Sequence, residues 1–221
     1  MHVVAPDREQ SATSHSLTLH HPLRVRQSQD GWSVVDGTPT DCVLMALGEL
    51  VGPSVDLCVS GVNHGSNMGE DVLYSGTVAA AMEATVMGVP SVAFSYVGED
   101  PTSIEEWEEV LAEFIQRIPS GGAFPVDTLL NVNIPDVRPS ELKGVRVTSL
   151  GQRRYSDSIT RARDPMGREY FWIGGGVSEW RGGDSSDFRA VEEGYISVTP
   201  LHLDLTNYGL LEEIRDWDLT L

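Results

Sequence analysis

Short apolar runs alternate with helix-forming stretches through the middle of the chain. Residues 55–60 (VDLCVS) are largely apolar, 61–69 are rich in glycine and asparagine, 77–87 combine small residues with helix formers, and 89–95 are apolar again. Apolar runs of this length, bounded by Gly and Pro, are typical of buried strands. Strand, loop, helix and strand form a βαβ unit, whose right-handed crossover makes the two strands parallel. The pattern therefore predicts an α/β protein with a mostly parallel sheet and helices on both faces.

Two other segments have the pattern of amphipathic helices. Residues 103–118 place apolar side chains on one face and acids on the other, with Ser103 as the cap and Glu106 in the capping-box position. A second helix is predicted to begin at Thr40 or Asp41 and to end near residue 50. The remaining predicted elements are an opening strand that Pro6 ends, strands at 16–26, 31–36, 128–134, 145–149 and 195–201, and a helix at 210–217.

A long β-hairpin is predicted at 152–174. Its two arms flank Asp164-Pro-Met-Gly167, which has the chemistry of a type I or II turn, and its second arm carries the aromatic run 170–173 (YFWI). The Gly- and Ser-rich residues 174–187 predict a loop. Because no internal repeat is present, we interpret residues 1–221 as one domain with this hairpin as an extension.

Composition narrows the classes of partner. Of 221 residues, 33 are acidic and 15 are basic, which gives a formal net charge of −18. Long nucleic acids bind proteins through Lys and Arg, so this chain is expected to repel them. Cys42 and Cys58 lie in apolar runs without CxxC spacing and are expected to be reduced core residues. No apolar stretch approaches the roughly 18 residues of a membrane span, so we expect a cytoplasmic protein without a membrane partner.

The glycine-rich loop and the helix after it predict a site for an anion. In a parallel α/β sheet, ligands bind beyond the carboxyl ends of the strands, where loops meet helix amino ends. Asn63 and Asn67 lie in this loop, and Ser75 and Thr77 add hydroxyl groups at the helix start. Backbone N–H groups at that position carry partial positive charge and suit a phosphate. The alternative is structural: the glycines make a tight turn and the hydroxyl groups cap the helix.

Other candidate residues leave two interpretations open. The loop has neither GxxxxGKS/T nor GxGxxG spacing, so NTP hydrolysis of the P-loop type is not expected. The side-chain amide oxygen of Asn63 is a suitable ligand for a hard cation such as Mg²⁺ or Mn²⁺ if carboxylates lie nearby. Asn63 could equally be a turn residue. Ser11 follows the opening strand and is either a metal or phosphate ligand or a solvated loop hydroxyl. His64 is a candidate acid or base without an evident partner, and no catalytic residue is assigned.

Four motifs in this order resemble the SurE family of survival proteins. They are VVAPDREQSATSHSLTL at 3–19, GTPTDCV at 37–43, VSGVNHGSNMGEDVLYSGTVAAAMEA at 59–84 and EEGYISVTPLHLDLT at 192–206. Members of that family are metal-dependent nucleotidases that remove phosphate from nucleoside 5′- and 3′-monophosphates. The resemblance therefore implies a nucleoside monophosphate as the substrate and Mg²⁺ or Mn²⁺ as the cofactor. It also implies a Rossmann-like domain, a hairpin extension, and a C-terminal segment, 202–221, that exchanges between subunits of a homodimer or homotetramer.

The resemblance assigns roles to individual residues. The family holds its metal with two adjacent aspartates, a serine and an asparagine, of which the serine corresponds to Ser11 and the asparagine to Asn63. The positions around the substrate phosphate are the four residues Asn67, Ser75, Gly76 and Thr77.

The sequence departs from the family pattern at the metal site. The adjacent aspartates belong to an NDDG motif at the end of the family's first strand, and these 221 residues contain no such motif. The match begins at the family's second strand, so we expect weak metal affinity and an incompletely covered sheet edge. Three hypotheses follow. The chain is a nucleotidase whose remaining strand lies upstream, a catalytically impaired nucleotide- or phosphate-binding subunit, or an oligomeric scaffold.

Overall fold

The predicted alternation of strands and helices is built as twelve strands and five helices within the described residues. The structure is a computed structural model that describes residues 1–52, 54–119, 123–156, 159–173 and 177–219. The strands are β1 Val4–Pro6, β2 Val25–Gln27, β3 Ser33–Val35, β4 Cys58–His64, β5 Ser91–Tyr96, β6 Thr128–Ile134, β7 Val145–Val147, β8 Gln152–Ser156, β9 Ile159–Arg163, β10 Glu169–Ile173, β11 Val177–Arg181 and β12 Ile196–His202. The helices are α1 Pro39–Met45, α2 Gly76–Val86, α3 Glu108–Gln116, α4 Asp187–Glu192 and α5 Leu211–Arg215.

The central sheet has five strands in the order β4-β5-β6-β12-β7. Strands β4, β5 and β6 are parallel to one another, β12 is antiparallel to β6, and β7 is parallel to β12. The predicted class, a mostly parallel α/β sheet, is therefore confirmed. Among the described residues, no helix combines the length and the apolar character that crossing a bilayer requires.

Helices cover both faces of this sheet because the inner strands are apolar on both sides. On one face, Val92 and Val132 pack with Trp107, directly before α3, and with Leu111 of α3. On the other face, Ala93 and Leu129 pack against Val78 and Ala81 of α2, and α1 packs in turn on α2. The two faces follow the alternation of side chains along each strand.

The amino-terminal segment forms a separate three-stranded sheet in the order β1-β3-β2. Strand β1 is parallel to β3, and β2 is antiparallel to it. The prediction of a strand over the whole of 16–26 was wrong, because only Val25–Gln27 pairs. The segment before β2 contains Pro22 and binds side chains instead of a neighbouring strand: the N–H of Thr18 donates to Asp41.

Two helix starts differ from their predictions. The cap of α1 is Thr38, two or three residues before the predicted Thr40 or Asp41, and Asp41 completes a capping box with it. Residues Pro101–Trp107 form a 3₁₀ helix capped by Asp100, so Ser103 does not cap the helix, and α3 begins only at Glu108. In both cases a Pro directly follows the true cap, where its fixed φ favours the first helical position.

The hairpin extension consists of two consecutive antiparallel pairs. Strand β9 pairs with β10 around the turn at 164–167, and β8 pairs with β11 further back toward the sheet. The predicted loop at 174–187 therefore contains a strand, and Asp187 already begins α4. The glycines on either side of its sequence, at 174–176 and 182–183, concealed that strand because glycine is depleted in strands. Gly174 of the predicted hairpin and residues 220–221 of the predicted C-terminal segment lie outside the described residues. The helix predicted at 210–217 is present as α5.

Candidate active site

The predicted site residues lie at the carboxyl end of strand β4 and in the loop that follows it. The strand continues past its predicted end into the glycine-rich loop, with a register shift between Ser60 and Asn63. Gly61 is required in this shift, since its φ is +111° and a Cβ there would lie 2.4 Å from the Phe94 carbonyl oxygen. The shift places Asn63 opposite the beginning of α2.

The amide of Asn63 has a defined orientation. Its Nδ2 donates to the carbonyl oxygens of Gly65 (2.9 Å) and His64 (3.2 Å). These two bonds leave Oδ1 facing α2, where the Thr77 hydroxyl lies 3.4 Å away. The structure thus brings together two of the predicted residues, one from the metal set and one from the phosphate set.

The amino end of α2 presents hydrogen-bond donors toward this position. Ser75 is the cap, and its hydroxyl accepts from the N–H of Val78 (3.1 Å). The first-turn N–H groups of Gly76 and Thr77 lie ahead of the intrahelical hydrogen-bond ladder. With 11 residues, α2 is long enough for these groups to carry the partial positive charge of a helix amino end. An anion is the ligand that such an arrangement favours.

The loop after β1 packs against the same helix end, although β1 belongs to the separate amino-terminal sheet. The N–H and the hydroxyl of Ser14 donate to the carbonyl oxygens of Tyr74 (3.0 Å) and Leu73 (2.6 Å). A Cβ on Gly76 would lie 3.0 Å from the Thr13 hydroxyl, so loop and helix touch. Ser11 lies in this loop, and its hydroxyl donates to its neighbour Glu9 (2.7 Å).

His15 fixes this loop to the middle of α2. Its Nε2 lies 2.7 Å from the Glu83 carboxylate, which is almost completely buried. His64 is also a tether, since its Nε2 lies 3.1 Å from the carbonyl oxygens of both Gly98 and Glu99. A ring nitrogen between two acceptors is a donor. The contacts of His64 are therefore those of a residue that orders the loop after β5.

Asn67 is turned into the sheet. Its Nδ2 donates to the Ser95 hydroxyl (2.7 Å), its N–H donates to Asn133 (2.9 Å), and its carbonyl oxygen accepts from Asn131 (2.8 Å) and Asn133 (3.0 Å). Its predicted role at the substrate phosphate stays a prediction. Sequence reasoning missed Asn131 and Asn133, although two asparagines at i and i+2 in an apolar strand are a readable signal of a buried polar network.

The two predicted metal ligands do not fit a hard divalent cation by themselves. Ser11 and Asn63 supply only neutral oxygens, whereas Mg²⁺ and Mn²⁺ sites in proteins depend on carboxylates. Within the part of the chain that the structure describes, no group of three or more His, Cys, Asp or Glu side chains could hold a metal ion. The resemblance assigns the carboxylates to an aspartate pair that these residues do not include.

Neither cysteine provides a nucleophile. Burial, with smaller contributions from Asp41 and Asp7, raises the pKa of Cys42 to about 12, and burial raises the pKa of Cys58 to about 11. Both thiols are therefore protonated at neutral pH. Both cysteines are free, but only Cys42 is a buried core residue as predicted, whereas Cys58 is partly buried.

Comparisons with known proteins find relatives of this chain in both sequence and fold. A model of the family Survival protein SurE matches residues 1–157. The 5′-nucleotidase SurE of Gemmatimonas aurantiaca is 55% identical over 221 residues, which cover 98% of this chain and 87% of that protein. The 5′-nucleotidase SurE of Geobacter sulfurreducens is 50% identical over 218 residues, which cover 99% and 83%. The crystal structure of a SurE protein from Aquifex aeolicus matches with a TM-score of 0.83 at 41% identity, over 96% of this chain and 87% of that one.

Proposed function

The chain belongs to the SurE family, and we propose that it is a phosphomonoesterase that hydrolyses nucleoside 5′- and 3′-monophosphates to nucleoside and phosphate. The proposal is supported by the relatives named 5′-nucleotidase. The observation that carries it is the meeting of Asn63 Oδ1 with the amino end of α2, at the carboxyl edge of the sheet.

The residues at this edge account for phosphate binding. The N–H groups of Gly76 and Thr77 and the Thr77 hydroxyl can donate to phosphoryl oxygens, while Ser75 maintains the helix start. Each favourable charge interaction at a helix end contributes about 0.3–1 kcal/mol at the surface and up to ~2 kcal/mol when partly buried. The backbone N–H groups stabilise the negative charge that redistributes over the phosphoryl oxygens during hydrolysis, because the helix orients them before the reaction, whereas the Thr77 hydroxyl donates to Asn63 Oδ1 until a phosphate replaces that acceptor.

A divalent ion, Mg²⁺ or Mn²⁺, is the second part of the proposal. When bound, such an ion polarises phosphoryl oxygens and lowers the pKa of a bound water. Ser11 and Asn63 do not fit it alone, so metal-dependent turnover requires carboxylates from outside this pair. The same observation favours one alternative function: a nucleotide- or phosphate-binding subunit in which the α2 site is retained and turnover is impaired.

Phosphate release from AMP distinguishes these two functions. The assay compares the 221-residue chain with a version extended upstream to any NDDG segment, each with Mg²⁺, with Mn²⁺ and with EDTA. Turnover that both EDTA and Asn63→Ala abolish supports the nucleotidase. Binding of AMP that is insensitive to EDTA, without phosphate release in either version, supports the binding subunit. Neither binding nor release would contradict both.

Thr77→Val tests the assigned donor. Valine keeps the shape of threonine and removes the hydroxyl, so we expect kcat for AMP to fall about 100-fold, the usual loss when one hydrogen-bond donor to the transition state is removed. Thr128→Val is the matched control, because this hydroxyl donates to the local Val126 carbonyl oxygen at the amino end of β6, the opposite edge of the sheet. Equal activities of the two variants would exclude Thr77 from the site.

A further inference from the structure

A buried carboxylate lies where the hairpin meets the glycine-rich loop. Asp187 is 0% exposed, and its oxygens accept from the backbone N–H groups of Gly69, Gly151 and Phe188, each at 2.8 Å. Burial raises the pKa of Asp187, and these N–H donors oppose that effect. Only Phe188 is local, so two of the three bonds join distant segments of the chain.

The backbones at this junction are in direct contact. Gly69 has a φ of +53°, and a Cβ there would lie 2.9 Å from the Gly151 carbonyl oxygen. Beside this contact, Trp180 of β11 stacks on Phe188 with ring centroids 5.2 Å apart. The base of the hairpin is therefore packed on the residues that lead out of the glycine-rich loop.

A second contact joins the same two segments on the outside. The N–H of Arg153, in β8, donates to the Glu70 carboxylate, and the Arg153 guanidinium forms an ion pair with Asp71. Glu70 and Asp71 belong to the short 3₁₀ helix Gly69–Leu73, which leads to Ser75 and the start of α2.

The other end of this loop segment is fixed as well. The side chains of Asn131 and Asn133, in β6, form hydrogen bonds with the backbone of Asn67, two residues before Gly69. An ordinary helix-start carboxylate would bind only the N–H groups of its own helix. Burying a charge is costly unless it is fully hydrogen-bonded, and Asp187 meets that condition mainly with partners outside α4.

We propose that Asp187 is a positioning residue: it fixes Gly69 against Gly151 and thereby couples the base of the hairpin to the loop and helix end that form the candidate phosphate site. Asp187 itself makes no contact with the phosphate-site residues Ser75, Gly76 or Thr77 among its hydrogen bonds in the described chain. The consequence for phosphate affinity rests on the proposed function, whereas the coupling of the two segments does not.

Asp187→Asn is the direct test, since it keeps the size of the side chain and sets an NH₂ group against one of the glycine N–H groups. We expect amide hydrogen exchange at Gly69 and Gly151, measured by NMR, to become about ten-fold faster, and the dissociation constant for inorganic phosphate to rise by about the same factor. Ser91→Ala is the control: it removes a buried hydroxyl at the amino end of β5, so it lowers stability without touching the junction.

Glu70→Ala tests the coupling of the two segments at their second contact, whether or not Asp187→Asn folds. Glu70 is exposed, and its loss should speed exchange at Arg153 and Gly69 without unfolding the chain. Unchanged exchange at Gly69 in the variants that fold, or faster exchange with unchanged phosphate affinity, would overturn the positioning role. If the unmodified chain binds no phosphate, the proposed function fails, and exchange alone decides whether the hairpin and the loop are coupled.

Discussion

Asp41 shows how one carboxylate joins the segment around Thr18 to the start of α1 beside the site. It accepts from the N–H groups of Thr18 (3.0 Å) and Thr38 (2.8 Å), while its own N–H donates to the Thr38 hydroxyl (3.1 Å). Burial acts to raise the pKa of Asp41, but the bonds from Thr18 and Thr38 outweigh it, and the pKa lies below the ordinary value of 3.8. The folded state therefore favours the ionised carboxylate.

This lowered pKa gives stability a defined pH dependence. The unfolded chain binds the proton more tightly, so the contribution of Asp41 is present above a pH of about 4 and is lost as the pH falls through the folded-state pKa. Asp41→Asn should lower the free energy of unfolding by about 1 kcal/mol at pH 7, the usual value of such a cap, and by less at pH 3. Urea unfolding at both pH values measures this. Asp30→Asn, at an exposed position, is the control, and an equal loss at both pH values would refute the argument.

At the scale of elements, the contact between α2 and the loop after β1 depends on the absence of a side chain at Gly76. A Cβ there would lie 3.0 Å from both Pro39 Cγ and the Thr13 hydroxyl. Gly76→Ala should therefore displace the loop and weaken phosphate binding about ten-fold, although alanine favours the helix by up to ~1 kcal/mol.

Gly48→Ala provides the matched control for this prediction. Gly48 lies in the helical turn after α1, and a Cβ there meets no atom within 4 Å. Titration calorimetry with inorganic phosphate should therefore give the unmodified affinity for Gly48→Ala and a weaker one for Gly76→Ala. Equal affinities would mean that the loop does not contribute to the site.

Sequence predicts the elements whose signals are local. The β4–α2–β5 unit was recognisable because apolar runs, helix formers and a capping serine follow one another within 40 residues of chain. The start of α1 was misplaced by two or three residues because Thr38, Thr40 and Asp41 are all competent caps. Three features favour Thr38: Pro39 at the first helical position, the bond from the Thr38 hydroxyl to the Ser16 carbonyl oxygen, and the box to Asp41.

Contacts between distant segments were beyond this reasoning. Gly69 and Asp187 are 118 positions apart, and Gly151 and Asp187 are 36 apart. No local pattern relates them, because only the packed hairpin brings them together. The approach of Asn63 to Thr77 could be inferred, because loops and helix starts meet at the carboxyl edge of a parallel sheet. The orientation of the Asn63 amide required the structure.

At the scale of the whole molecule, the hairpin leaves a large apolar surface in contact with solvent. Phe171, Trp172 and Ile173 of β10 are 58%, 66% and 89% exposed, and Ile159 of the paired β9 is 65% exposed. The C-terminal segment adds Trp217 at 56%. Because side chains alternate along a strand, Phe171 and Ile173 share one face of the hairpin with Ile159, and Trp172 lies on the other face. Clusters of exposed apolar side chains mark interaction sites in soluble proteins. Together with the family resemblance, they support the prediction that the chain forms a homodimer or homotetramer.

Trp172→Glu tests that prediction, because a charge at the centre of a buried contact is costly unless it is paired. Light scattering should give the unmodified chain at least twice the mass of one chain and should shift Trp172→Glu toward the mass of one. Trp32→Glu introduces the same charge at a tryptophan that is 50% exposed outside the hairpin, so it should keep the unmodified mass. Since the hairpin base is joined to the glycine-rich loop through Asp187, loss of assembly should also speed amide exchange at Gly69. An unmodified chain with the mass of one chain would contradict the predicted homodimer or homotetramer.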